Sequence, residues 1–188
     1  MNQLLRSIIQ SIKQETEISD PNKGIVVVLD SRLIPTNIVV DEDRFSSLSE
    51  EFLRESVRFL VVSYSVSIFT YLEHVAEKLD EALDSYQKSK YLQFVAADVS
   101  LNLQGNIMRD LKFKSLLGVS SMGKISVKTN GLLEGLKVYF QSQEVLKIDV
   151  FEREIRSLLE NLFINFLILL KQQQTIISGQ LKVDLNIL

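Results

Sequence analysis

The chain has 188 residues, 46% hydrophobic and 24% charged, with 7 Gly and 2 Pro where average usage gives roughly 13 and 9. That balance excludes a disordered, collagen-like or mucin-like chain and favours long helices over a turn-rich sandwich or barrel. No Cys, no Trp and a single His exclude a disulfide framework, a zinc–thiolate or iron–sulfur centre, a catalytic thiol and any two-histidine mechanism, while a formal charge of −3 supplies no global field for nucleic acid or anionic lipid, a local basic patch aside.

In chain order, Leu4, Leu5, Ile8, Ile9 and Ile12 predict an amphipathic helix over residues 1–17, too polar throughout for a secretory signal. Asp20-Pro21-Asn22-Lys23-Gly24 carries turn chemistry. The β-branched runs Ile25–Leu29 and Ile38–Val40 predict a two-strand ribbon, which needs a third strand or a helix against it to be stable. Ser47-Leu-Ser-Glu50 has capping-box spacing. After it, Val57, Leu60, Val61, Tyr64, Ile68, Leu72, Val75, Leu79 and Leu83 form a helical stripe. Phe59, Val62, Val66 and Phe69 add a second apolar face, so residues 57–72 are expected to be buried nearly all round. The uncharged run Phe59–Leu72 is 14 residues, short of the about 20 needed to span a bilayer, so no membrane association is expected.

Residues 88–117 read as a further helix with Leu92, Val95, Ala96, Val99 and Leu103 inward. Residues 118–131 read as irregular, apart from the β-patterned Lys124–Lys128 before the hairpin signal Asn130-Gly131. Leu132–Phe140 suits a strand or a short helix equally. Asp149 is placed to cap the last long helix, whose inner face runs from Val150 to Leu170. Gly179 should end that helix, and the alternation of Leu181, Val183, Leu185 and Ile187 with polar residues predicts a strand over 181–187, paired with the early ribbon. No repeat, low-complexity tract or linker is visible. The expectation is a single domain over 1–188, mainly α: a helical bundle with two long core helices plus a small β-element made of the ribbon 25–40 and the strand 181–187.

Few residues have the company that chemistry requires. His74 lies between Glu73 and Glu77 on the long helix, where it suits a solvated surface better than a general base or a carboxylate-assisted metal ligand. Ser63, Ser65, Ser67 and Thr70 have no base in reach, and their hydroxyls are expected on carbonyls one turn back. Gly118-x4-Gly123-Lys124 has the spacing of a phosphate loop, but Ile125 stands where Ser or Thr must reach magnesium. Arg109, Lys112, Lys114, Lys124 and Lys128 form the densest basic stretch and are the candidate phosphate contacts, with Phe113 among them.

The succession of a short amphipathic helix, a long buried helix and a final helix is similar to the HEPN class of helical bundles, found in many bacterial RNase toxins and defence proteins. The stretch that carries the resemblance is Arg54–Leu83. Active members carry Arg-x4-6-His, whereas the positions upstream of His74 are Ser67, Ile68 and Phe69, so the resemblance implies a degenerate bundle without the nuclease motif. The leading expectation is a non-enzymatic interaction module (a subunit, adaptor or immunity-type partner) in the cytoplasm, without cofactor or metal. Its partner would be a protein or a second copy in a homodimer, with Leu79, Leu83 and Tyr86 in the interface. A nucleic-acid-handling defence protein is the alternative, and a carboxylate–metal enzyme around His74 the weaker one.

Overall fold

The computed structural model describes residues 15–21, 24–47, 49–82 and 111–181. Strands β1 (Thr16–Ser19), β2 (Ile25–Leu29) and β3 (Pro35–Val40) make an antiparallel sheet in that order. Helices α1 (Glu42–Ser47) and α2 (Glu50–Ala82) follow. A second antiparallel sheet of β4 (Ser115–Val119), β5 (Ile125–Asn130) and β6 (Lys137–Phe140) precedes a 3-10 turn (Gln143–Leu146) and helix α3 (Ile148–Leu181).

The fold is therefore mixed α/β, and the expected mainly α helical bundle, with its likeness to HEPN bundles, is overturned by two three-stranded sheets. The physical reason lies in strand length. Five residues such as Ser115–Val119 contain too few positions for a period of 2 to be told from one of 3.6, and β1 contributes one buried apolar residue, Ile18. Ser115–Val119 is a strand and not the end of a helix over 88–117. The ribbon 25–40 is present and gains β1 as its third strand. The open choice over 132–140 resolves to a strand at Lys137–Phe140. Helix α3 continues through Gly179 to Leu181, so no strand begins at 181, and residues 182–188 lie outside the described residues, as do 1–14 and 83–110.

A repeat invisible in the sequence is plain in the backbone. Residues of the two sheets correspond at an offset of 100. Asp20 N–H donates to Ile25 O as Ser120 N–H does to Ile125 O, and Asp41 N–H donates to Gly24 O as Gln141 N–H does to Lys124 O. Between second and third strands, Asp30 Oδ1 accepts from the N–H groups of Arg32 and Ile34 at 2.8 and 2.9 Å. Asn130 Oδ1 accepts from those of Leu132 and Glu134, both at 2.9 Å. Each of these Asx-type turns holds a buried leucine in the left-handed region, Leu33 at φ 62° and Leu133 at φ 60°. In the long helices the offset is 98: Leu53 N–H donates to Ser49 O, and Phe151 N–H to Lys147 O. Helix α2 starts at Glu50, with Ser49 rather than Ser47 as its cap, since Ser49 Oγ accepts from Phe52 N–H at 3.3 Å.

The halves exchange helices. Helix α2 packs on β1 of its own sheet and β6 of the other, and α3 packs on β4 of its own and β3 of the other. The inner faces are equivalent: Val57, Leu60, Val61 and Ile68 in α2, and Ile155, Leu158, Leu159 and Phe166 in α3, all essentially without exposure. One continuous core results, which also takes in Ile25, Val27 and Leu29 of β2 and Ile125 and Val127 of β5. Phe45 stacks obliquely on Phe151 and Phe69 meets Phe166 edge-on, each pair joining the two halves. Two arginines fasten the crossing. Arg156 Nη1 donates to the carbonyls of Pro35 and Thr36 at 2.6 and 3.1 Å, and the Arg54 guanidinium lies 5.6 Å from the Phe140 ring centroid.

Candidate interaction surfaces

Alternation along each strand sends one set of side chains to the core and the other outward. Backbone groups of an edge strand alternate too: every second residue directs its N–H and C=O away from the sheet. At β4 these are Leu117 and Val119, and α3 takes up one group of each. Asn161 Oδ1 accepts from Val119 N–H at 2.9 Å, Asn165 Nδ2 donates to Leu117 O at 2.8 Å, and Ser157 Oγ accepts from Ser121 N–H at 2.8 Å. Asn165 also donates to Asn161 at 3.2 Å, which orients both amides. The β4 edge is thus bonded in part by its own helix.

At β1 the same positions are Glu17 and Ser19. The helix residues equivalent to Ser157, Asn161 and Asn165 are Phe59, Ser63 and Ser67. None bonds the edge among the described residues: Ser67 Oγ donates back to Ser63 O at 3.1 Å, as expected for a helical serine. Ser65 likewise donates to Val61 O at 2.7 Å. Pro21, at the place of Ser121, has no N–H to offer. The β1 edge is open among the described residues.

The same flank of α2 is apolar. Phe59 is 48% exposed, Val62 44% and Val66 61%, with Phe52 at 46% two turns nearer the N-terminus. The expectation that residues 57–72 are buried nearly all round is corrected here: the stripe of Val57, Leu60, Val61, Tyr64 and Ile68 is buried, Phe69 is half-buried, and the second face stands in solvent. The two sheets flank α2 on one side only, and that is the side they cover. Equivalent positions on α3 are Val150, Ser157, Glu160 and Ile164, of which Val150 is buried and Ser157 and Glu160 are polar.

The outer face of the second sheet is basic and aromatic. Register places Leu117, Lys128 and Lys137 in one row and Val119, Ser126 and Tyr139 in the next. Lys128, Lys137 and Tyr139 are exposed, with Lys112, Phe113 and Lys114 leading into β4 and exposed as well. Lys124 is drawn off: its ammonium pairs with Glu144 at 2.5 Å. That hydrogen bond, together with the Lys124 charge, holds the Glu144 carboxyl below its ordinary value. Arg109 lies outside the described residues. Lys137 and Tyr139 escape sequence reasoning because only the strand register brings them beside Lys128.

The remaining sequence candidates fall apart. Gly118 is inside β4 and Gly123 sits at a hairpin turn with φ 69°, so the phosphate-loop spacing joins two antiparallel strands and no helix follows it. His74 is exposed on α2. Among the described residues, no group of three or more His, Asp or Glu side chains is placed to hold a metal ion. Leu83 and Tyr86 lie outside the described residues, as does the side chain of Leu79. Among the described residues no helix is long and apolar enough to cross a membrane.

One buried carboxylate is structural. Glu154 has no exposure, and its Oε2 accepts from Ser120 Oγ at 2.5 Å and from Lys124 N–H at 3.4 Å, clasping the β4–β5 turn. Ser120 Oγ in turn accepts from Ile125 N–H at 3.0 Å. In the first half Asp20 takes the place of Ser120, accepting from Ile25 N–H at 2.8 Å, and buried Ser56 takes that of Glu154. Each half thus carries one acid and one hydroxyl, exchanged between strand end and helix. Comparison with family models, with curated proteins and with solved structures finds no match to this chain.

Proposed function

We propose that the chain is a non-enzymatic protein-interaction module, a subunit, adaptor or immunity-type partner, that binds through the flank of α2. The observation that carries this reading is the apolar row Phe52, Phe59, Val62 and Val66, each between 44% and 61% exposed on one helix of a folded core. Contiguous apolar surface of this kind marks association sites, because its burial against a partner removes it from water. The reading includes a cytoplasmic setting, which a cysteine-free chain suits. The test is affinity capture from the native host alongside sedimentation of the purified protein over a concentration series, for wild type and Val62→Glu/Val66→Glu. Self-association or a stoichiometric partner, lost in a variant that keeps the far-ultraviolet circular dichroism spectrum of the wild type, supports the reading. A monomer at every concentration, with no partner that distinguishes the two proteins, overturns it.

A second reading, single-stranded nucleic acid on the outer face of the second sheet, is favoured by one observation: Lys128 and Lys137 are register neighbours beside exposed Tyr139. Lysines would meet phosphates and the tyrosine ring a base. Salt-dependent binding of a labelled oligothymidine, lost in Lys128→Glu/Lys137→Glu, would establish it. Absence of binding at low salt would remove it.

A further inference from the structure

We propose that β1 is a self-pairing edge: two copies of the chain join β1 to β1 antiparallel about a twofold axis at Ile18, making one six-stranded sheet. This rests on the interaction reading above and names its surface and its partner. The internal repeat supplies the comparison that makes the edge informative. In the second half Ser157, Asn161 and Asn165 bond the equivalent edge at three backbone groups, and the flank beside it carries Glu160 as well as exposed Ile164. In the first half those places hold Phe59, Ser63, Ser67, Val62 and Val66, which leave the Glu17 and Ser19 backbone unpaired among the described residues and place apolar surface next to it. Unprotected edges pair with other chains, and proteins ordinarily block them. Here one of two equivalent edges is partly bonded by its own helix, and the other has no such bond among the described residues.

The occupant follows from register and charge. Glu17 and Ser19 direct their backbone groups outward, because Asp20 bonds to Ile25 and the alternation continues through Ile18. A twofold at Ile18 sets Glu17 opposite Ser19 of a second copy, and Ser19 opposite its Glu17, so every outward N–H and C=O of these residues finds a partner. The shifted register centred on Glu17 would face carboxylate with carboxylate and is disfavoured. The axis at Ile18 also puts the two cores on the same side of the joined sheet, so the Phe59–Val62–Val66 flanks of the two α2 helices meet across it. Pro21 ends the pairing, having no N–H. The contact uses the same surface on both copies, so it closes on itself as a dimer instead of propagating.

The experiment transplants the bonded flank onto the open one. Phe59→Ser, Val62→Glu, Ser63→Asn and Ser67→Asn together give α2 the side chains of α3. Sedimentation equilibrium should find wild type dimeric and the graft monomeric, with self-association weakened at least about 100-fold and the far-ultraviolet circular dichroism spectrum unchanged. Independently, the chain has no native cysteine. A mixture of Glu17→Cys and Ser19→Cys proteins should oxidise to covalent dimer at least about tenfold faster than either alone, since Cα atoms about 5.5 Å apart in a hydrogen-bonded pair fall within disulfide reach. A graft that stays dimeric, or no preference for the mixed disulfide, overturns the β1 pairing while leaving the interaction reading standing. A monomeric wild type that captures another protein, lost in the graft, overturns the second copy as occupant only. A monomeric wild type without a partner overturns both. If the graft does not fold, the disulfide result decides.

Discussion

Leu60→Ala and Ile68→Ala each remove three carbons from a fully buried side chain on the inner stripe of α2. At about 0.8 kcal/mol per methylene, the lost transfer energy is roughly 2.4 kcal/mol. A cavity term adds to it, because α2 is held between β1 of one sheet and β6 of the other and cannot settle into the gap. The expected cost is about 3–4 kcal/mol for each. Val66→Ala, on the same helix but 61% exposed in the single chain, should cost within about 0.5 kcal/mol at concentrations where the protein is monomeric. Urea unfolding followed by far-ultraviolet circular dichroism reads the difference as a shift in midpoint at constant slope. All three proteins are compared at one concentration, since self-association adds to apparent stability. If Leu60→Ala and Ile68→Ala are no worse than Val66→Ala, α2 does not lie between the two sheets as described.

The Asp30 carboxyl is partly desolvated, which raises its pKa, but the N–H groups of Ile34 and Arg32 and the Arg32 side chain outweigh this and hold it below its ordinary value. A lowered folded value means stability present at neutral pH and lost as pH falls through that value, so the gap between wild type and Asp30→Asn should be constant above about pH 5 and close below about pH 4; a gap that widens in acid refutes the assignment. Gly131→Ala should cost about 1–3 kcal/mol, read by thermal melting, because a Cβ there would stand 2.6 Å from the Leu111 carbonyl oxygen and 2.8 Å from Leu169 Cδ2. Arg156→Ala should cost about 1.5–3 kcal/mol by urea unfolding, through loss of its bonds to Pro35 O and Thr36 O across the two halves. Arg156→Lys should rescue only part of that loss, since an ammonium lacks the planar fork.

Of the candidate surfaces, the sequence displayed the ingredients without their arrangement. The basic run from Lys112 to Lys128 was visible, but Lys124 belongs to Glu144, and Lys137 takes its place beside Lys128 through the β5–β6 register. Phe59, Val62 and Val66 were visible as an apolar face. Whether such a face is core or surface depends on how many sides of the helix other elements cover, and periodicity within the helix does not contain that quantity. The asparagines that bond the β4 edge had one local sign: Asn161 and Asn165 stand one turn apart in an otherwise apolar run. That sign becomes interpretable only with a strand edge beside it.

The long helices and the β2–β3 ribbon were determined by the sequence itself. Over 33 and 34 residues an apolar stripe repeats often enough to fix its period, and β-branched runs such as Ile25–Leu29 strongly prefer extended backbone. The duplication was decided in three dimensions. Asp30 and Asn130 build the same turn, and Asp20 and Ser120 accept the same strand-end bond from Ile25 and Ile125, from different residues, so equivalence resides in hydrogen-bond geometry and not in identity. Strands of four to six residues carry too little pattern to declare themselves. They are strands because neighbouring strands satisfy their backbone and the two long helices, each shared between the sheets, cover one face of each. The pairing is local, but half of that cover comes from the other half of the chain, beyond the reach of any local pattern.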